Sequence, residues 1–253
     1  MEAASLHPAR ARVRPPCVGL LCNPKVTLYT CQDVPPTDAS SSRPPLTKER
    51  VLRAAVELAD RRGIGALTMR RLGSALGVEA MSLYKHVANK EAILAGMVDM
   101  VVGEIAIPDE GEDWRTAMWR RAASAREVLG RHSWVIGLME ADTAPGPNTL
   151  RYMNAIIGNL RAAGFAMEHA TRAFMVLDSY VYGHVVQESN LPFGTLDEMV
   201  DEVRSALDHV AMIEFPHLVD MYQHALTFEY SLDDQFAYGL ELVLDGIERQ
   251  REG

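Results

Sequence analysis

From Leu46 onward the chain alternates apolar and polar residues with the period of a helix that buries one stripe. Thr47-Lys48-Glu49-Arg50 offers an N-cap and an acidic first turn, and Val51, Leu52, Ala55, Leu58 and Ala59 follow at helical spacing up to Gly63. A short helix is predicted from Thr68 to a stop at Gly77, and a second over about 80–86. Asn89-Lys90-Glu91 then opens a longer helix that runs through Met97, Met100 and Val101 to about Ile105. After Pro108 and Gly111 the pattern predicts helices over 114–129, around 132–140 up to a break at Pro145 and Pro147, and over 149–163 and 168–187. Three more are expected over 196–214, 216–225 and 231–249. No alternating run is long enough for a strand, so the expected class is all-α, with about ten helices. The loops of sheet-based nucleotide enzymes, G-x-G-x-x-G and G-x-x-x-x-G-K-[ST], are absent from the sequence.

Composition changes this picture at the front of the chain. Residues 1–45 hold Pro8, Pro15, Pro16, Pro24, Pro35, Pro36, Pro44 and Pro45 and no sustained period, which predicts a disordered tail. Leu20-Leu21-Cys22 is broken by Asn23-Pro24, so a secretion signal is not expected, and a cytoplasmic protein with no membrane partner is. Cys17, Cys22 and Cys31 all fall in this tail at spacings that match no zinc or redox motif. No metal or cofactor is expected. The 253 residues have a formal net charge of -9, yet residues 47–105 carry 9 basic and 7 acidic side chains while residues 106–253 carry 11 and 24. A mildly basic front module joined to a strongly acidic body suits a chain in which only the front meets phosphates.

The chemistry concentrates in TMRRLGSALGVEAMSLYKHV, residues 68–87. Two short helices meet at Gly77, where the chain must turn sharply. Leu72, Leu76, Val78, Leu83 and Val87 are placed to close a small core, leaving Ala80, Met81, Ser82, Tyr84, Lys85 and His86 outside. Small residues at the start of the second helix allow close approach to a groove floor, and the later ones supply donors for phosphates and base edges. Arg70, Arg71 and Lys90 lie on flanking turns. Those are the components of a helix-turn-helix, although periodicity alone fits an ordinary solvated helical hairpin equally well.

Residues 46–105 resemble the DNA-binding domain of the TetR family of transcriptional regulators. The resemblance rests on the first helix ending at Gly63, the segment from Gly63 to Thr68, the L-G-V turn at Leu76–Val78, and the L-Y-x-H-V-x-x-K signature at Leu83–Lys90. It implies three domains: the tail 1–45, a three-helix DNA-binding unit 46–106, and a helical effector-binding and dimerisation domain 107–253. Ala80, Met81, Ser82, Lys85 and His86 would face bases, Tyr84 and Lys90 phosphates, and Thr68, Met69 and Arg70 would hold the opening turn against the backbone. Met81 departs from the proline of the tetracycline repressor, and Gly73 from the usual alanine. Glycine in mid-helix costs up to about 1 kcal/mol unless something packs on its bare face.

The body resembles the tetracycline-repressor subgroup more weakly. The resemblance implies a homodimer on a palindromic double-stranded operator, released by a small-molecule effector. Dimer contacts are expected from Ala170, Phe174, Leu177, Val181 and His184, and from Leu232, Phe236, Gly239, Leu240, Val243, Gly246 and Ile247; an internal core is the alternative use of those stripes. Trp114, Met118, Trp134, Met139, Tyr152, Phe174, Tyr180 and His184, with Met153 and Met175, are expected to line an apolar effector pocket. Ala106, Ser179 and Gln187 stand where the tetracycline repressor uses drug- and metal-contacting side chains, so tetracycline is not the expected ligand. His184 and Glu188, one turn apart, are read as a surface pair rather than a metal site. A helical ligand-binding or structural protein without sequence-specific DNA binding remains the competing class. An enzyme is the weakest reading, since no nucleophile–histidine arrangement stands out.

Overall fold

Thr47 lies in extended backbone and its hydroxyl accepts the Arg50 amide at 3.2 Å, so α1 (Lys48–Arg62) starts at the cap the sequence supplies. Thr68 does the same for α2 (Met69–Leu76), accepting from the Arg71 amide at 3.2 Å. The computed structural model describes residues 45–139, 144–191, 215–225 and 231–251, with 198, 200–202, 204 and 205. The proline-rich tail with its three cysteines, and most of the helix expected over 196–214, lie outside the described residues; Asp201 and Glu202 are helical and exposed.

Gly77 ends α2 in the left-handed region, at φ 69° and ψ 33°. Its amide and that of Val78 return to the carbonyls of Ser74 (3.2 Å) and Gly73 (2.9 Å), a closed helix end that glycine reaches without strain. The next helix, α3, is shorter than expected: it spans Ala80–Leu83, and residues 84–86 form turns. The cause is local, since the Lys85 and His86 amides bond three residues back, to Ser82 and Leu83, and tighten the chain so that Val87 re-enters the core. Asn89 caps α4 (Lys90–Val102) through its Oδ1, 2.7 Å from the Ala92 amide. α4 stops before Ile105 for the same reason as α3, with the Glu104 and Ile105 amides bonding three residues back.

The body begins with α5 (Trp114–Arg131), capped by Asp113, whose carboxylate accepts the Thr116 amide at 3.0 Å. That bond is the main reason the Asp113 carboxyl is held below its ordinary pKa. A single 3₁₀ turn leads to α6 (Ile136–Met139). α7 (Pro147–Ala162) starts two residues earlier than expected, because Pro147 does not break the helix but opens it. α8 (Met167–Ser189), α9 (Pro216–Ala225) and α10 (Leu232–Arg251) bring to ten the α-helices whose bounds lie among the described residues, where no strand occurs.

Helices α1–α4 close one small core through Val51, Ala55, Leu72, Leu83, Ile93 and Met97, all buried. In the body, Ala117, Ala122 and Ala125 give α5 a face of small side chains, and α8 lies against it with Leu177 and Val181 buried. α10 covers α8 through Phe236, Leu240 and Leu244. Charge ties reinforce this layering: Arg115 on α5 reaches Asp245 at 2.7 Å, and Arg126 pairs with Glu188 (2.6 Å) and Asp233 (2.7 Å) over the Phe236 ring. No described helix is long and apolar enough to cross a membrane.

Candidate nucleic-acid interface and effector region

The α2–turn–α3 unit presents one continuous polar edge. Met81 is the most exposed of its apolar side chains, at 73%, and Tyr84 and Lys85 stand out beside it. Ala80, Ser82 and His86 are half-buried, with the Ser82 hydroxyl donating to the Glu79 carbonyl at 2.6 Å. Thr68 and Arg70 are exposed at the start of α2, whereas Met69 turns inward against the core. Arg71 is engaged with its own chain, donating to the Ala66 carbonyl at 3.1 Å. Lys90 is exposed on the first turn of α4. Thus all ten residues expected at the interface are at least partly open to solvent, and Met69 among them also packs against the core.

Gly73 explains how the two short helices meet. A Cβ there would lie 2.8 Å from the Val78 carbonyl oxygen and 3.1 Å from the Ala80 amide nitrogen, so the recognition turn rests directly on its bare face. The packing partner that would justify a mid-helix glycine is the turn itself.

The effector residues expected to form one pocket separate into four places. Trp114 is buried edge-on against Phe165, at 5.0 Å between ring centres. Trp134 donates its Nε1 to Asp60 on α1 at 2.7 Å, and the same oxygen lies 2.8 Å from His132 Nδ1, so Trp134 belongs to the joint between the α1–α4 unit and the body. Tyr152 and Phe174 meet between α7 and α8, 6.5 Å apart. Tyr180 stacks on Phe236 and His184 meets the same ring edge-on, beside a groove of about 360 Å³ between α8 and α10. Met118 is buried core, Met139 half-buried against the core, and Met153 and Met175 face outward. Side chains at helical spacing share a face of their own helix, but which neighbour that face meets depends on the whole topology.

The Tyr152–Phe174 place holds the polar group that the sequence reading missed. Arg121 on α5 is 1% exposed, lies within cation–π range of both rings, donates its Nε to the Tyr152 hydroxyl at 2.7 Å, and forms an ion pair with Asp178 on α8. Its Nη1 has no hydrogen-bond partner among the described residues. Tyr182 donates to Asp178 at 3.2 Å; burial raises the pKa of the Tyr152 and Tyr182 hydroxyls, so both stay protonated. Arg121 and Asp178 are 57 positions apart in the sequence, and nothing in its local pattern joins them.

His184 and Glu188 are also placed differently from a simple surface pair. Glu188 is taken by Arg126, and His184 is 3.7 Å from it, edge-on to Phe236. Desolvation is the main cause that lowers the His184 pKa, against a smaller opposing pull from Glu188. No cluster of three metal-ligating side chains occurs among the described residues. Of the stripes expected to dimerise, Ala170, Leu177, Val181, Phe236, Leu240 and Ile247 are buried within the subunit, as the internal-core alternative has it, while Phe174, His184, Leu232, Gly239, Val243 and Gly246 are half-buried. α8 and α10 instead leave a second apolar set exposed, with Met175, Val176, Tyr238 and Leu242 all at least half open to solvent.

Comparison with known proteins agrees with this architecture. The profile of the tetracyclin repressor-like C-terminal domain matches residues 107–251, and that of the bacterial regulatory proteins of the tetR family matches residues 51–97. An HTH-type transcriptional regulator of Saccharopolyspora erythraea is 37% identical over 155 residues, 61% of this chain and 66% of that protein. An HTH-type transcriptional repressor of Streptomyces coeruleorubidus is 29% identical over 239 residues, 90% of this chain and 87% of its own length. The crystal structure of the TetR family protein ActR from Streptomyces coelicolor in complex with actinorhodin superimposes with a TM-score of 0.70 at 27% identity, covering 83% of this chain and 100% of that one. A helix-turn-helix built on Gly77, an all-α body behind it, and profile matches that take in both place the chain in the TetR family of transcriptional regulators.

Proposed function

We propose that the chain is a homodimeric repressor that binds a palindromic operator and leaves it when a small molecule occupies the body. The observation that carries this is the open edge of Met81, Tyr84, Lys85 and Lys90 on a unit whose inner face is fully closed. In this reading residues 46–106 bind DNA, residues 107–253 dimerise and take the effector, and residues 1–45 are a tail. Ala80, Met81, Ser82, Lys85 and His86 read base edges, while Thr68, Arg70, Tyr84 and Lys90 contact the backbone. The protein works in the cytoplasm, without a cofactor and without a catalytic step.

The effector is read by the cluster of Arg121, Tyr152, Phe174 and Asp178. A buried guanidinium whose Nη1 has neither a hydrogen-bond partner nor an ion-pair contact among the described residues favours a ligand that brings a hydrogen-bond acceptor. ActR is described in complex with actinorhodin, and a small organic ligand is proposed for this body by analogy. Ala106, Ser179 and Gln187 argue against tetracycline itself. Ligand acts by population shift, favouring a form whose two recognition helices are wrongly separated for the operator.

Selection of bound sequences from a random duplex pool tests the reading. A palindrome with half-sites about one helical turn apart, or slightly more, is the expected result. Absence of enrichment even at low salt would overturn operator binding and favour a helical ligand-binding protein.

A further inference from the structure

α7 begins without a cap of its own. Its N-cap position is Gly146, and the first-turn amide of Thr149 is met by a side chain from another helix. Asp99 on α4 places Oδ1 2.8 Å from the Thr149 amide nitrogen, and the Thr149 hydroxyl donates to the same oxygen at 3.0 Å. Asn148 returns the contact by donating its Nδ2 to the Asp99 main-chain carbonyl at 3.2 Å. A carboxylate at a helix N-terminus meets both free amides and the positive end of the helix dipole. Both sides of the contact are cleared for it: a Cβ on Gly146 would collide with the Asp99 carboxylate, and one on Gly103 would lie 2.8 Å from Asn148 Nδ2.

The cap joins two parts of the molecule with different tasks. Three residues beyond Thr149, on the same side of α7, Tyr152 receives the Arg121 hydrogen bond in the buried cluster of the body. In the other direction, α4 carries Ile93 and Met97 into the core that holds Leu83 of the recognition helix. One turn of α7 therefore lies between the Arg121 cluster and the carboxylate that grips α4.

We propose that Asp99 is a positioning residue: by capping α7 from α4 it fixes where the recognition helix stands relative to the body, and it passes displacement of Tyr152 on to α4. This rests on the reading of the chain as a dimeric operator-binding protein. The separation of the two recognition helices in the dimer then depends on this cap together with the Trp134–Asp60 contact, and release of the cap lets that separation vary.

The test is selection from duplex pools in which two half-sites are separated by a varied number of base pairs, with the full chain and with Asp99→Ala, Asp99→Asn and Gly146→Ala. The wild type is expected to enrich one separation. Asp99→Ala loses about fivefold or more in affinity at that separation, the typical worth of a helix cap, and enriches neighbouring separations as well. Gly146→Ala broadens the selection in the same way by pushing the carboxylate off. Asp99→Asn, which keeps an acceptor oxygen, retains the single separation. Uniform loss at every separation, or unchanged selection by both alanine variants, would overturn the positioning role while leaving operator binding intact. No enrichment by the wild type would overturn operator binding and the positioning role together. Gly146→Ala decides the matter if Asp99→Ala does not fold.

Discussion

Gly73 sits in mid-helix, where exchange for alanine ordinarily gains about 1 kcal/mol. Here the added methyl would lie 2.8 Å from a main-chain oxygen, and neither that oxygen nor the Ala80 amide can move without carrying the recognition turn with it. Forcing a group into a closed space costs on the order of 1–3 kcal/mol, which exceeds the gain in helix propensity. Gly73→Ala is therefore expected to lower stability by about 1 kcal/mol in urea unfolding; a rise would mean that the turn yields freely. The sign of a second set of substitutions follows from burial. Asp178→Ala leaves the Arg121 charge buried beside two aromatic rings without its ion-pair partner, and a loss of about 3–5 kcal/mol is expected. The double change Arg121→Met with Asp178→Leu removes both charges and should cost less than Asp178→Ala alone. If the costs of the single changes simply add in the double variant, the two residues do not act as a pair.

At the scale of the helix, the proposed operator contacts are of two kinds that mutation can separate. Met81, exposed on α3, is assigned by that proposal to the groove floor, and Lys90, exposed on the first turn of α4, to a phosphate. Lys90→Ala should weaken binding to all sequences alike and make the salt dependence shallower by about one counterion. Met81→Ala should change which bases are preferred, most of all where a thymine methyl meets the thioether. Equal losses on every operator variant for both substitutions would contradict this division. The elements around this site were legible because their ends are written in local chemistry. Thr47, Thr68, Gly77 and Asn89 each satisfy main-chain groups within three or four residues of themselves. Positions that depend on distant chain were not legible. The small faces of α5 and α8 bring Arg121 to Asp178, and the trans cap from Asp99 replaces one that α7 lacks. Trp134, apolar by composition, is held in place by its N–H on Asp60. The choice between dimer contact and internal core for these stripes was open for a related reason: α8 and α10 carry apolar side chains on two faces, and the sequence does not say which of them turns inward.

For the whole molecule, the exposed set on α8 and α10 is the feature that a lone subunit leaves unsatisfied. Met175 is 62% and Tyr238 65% exposed, with Val176 and Leu242 beside them, an apolar area of the kind that partners cover. A dimer at micromolar concentration is expected by light scattering, and a monomer there would remove the basis for paired recognition helices. His184 lines the groove between the same two helices, edge-on to Phe236. Its pKa is lowered from 6.5, chiefly by desolvation, with Arg126 adding to the effect and Glu188 opposing it. In the unfolded chain the imidazole regains its ordinary affinity for protons, so below about pH 6.5 unfolding takes up a proton that the folded state holds less tightly. Stability from this residue is thus present above that pH and declines as pH falls through the lowered value. The urea midpoint should be lower at about pH 5.5 than at about pH 7.5, and His184→Gln should reduce the difference. The same acid sensitivity in the variant would assign it to other groups. Covering the α8 and α10 faces in the dimer would desolvate the imidazole further, so the acid sensitivity should grow with protein concentration as dimers form.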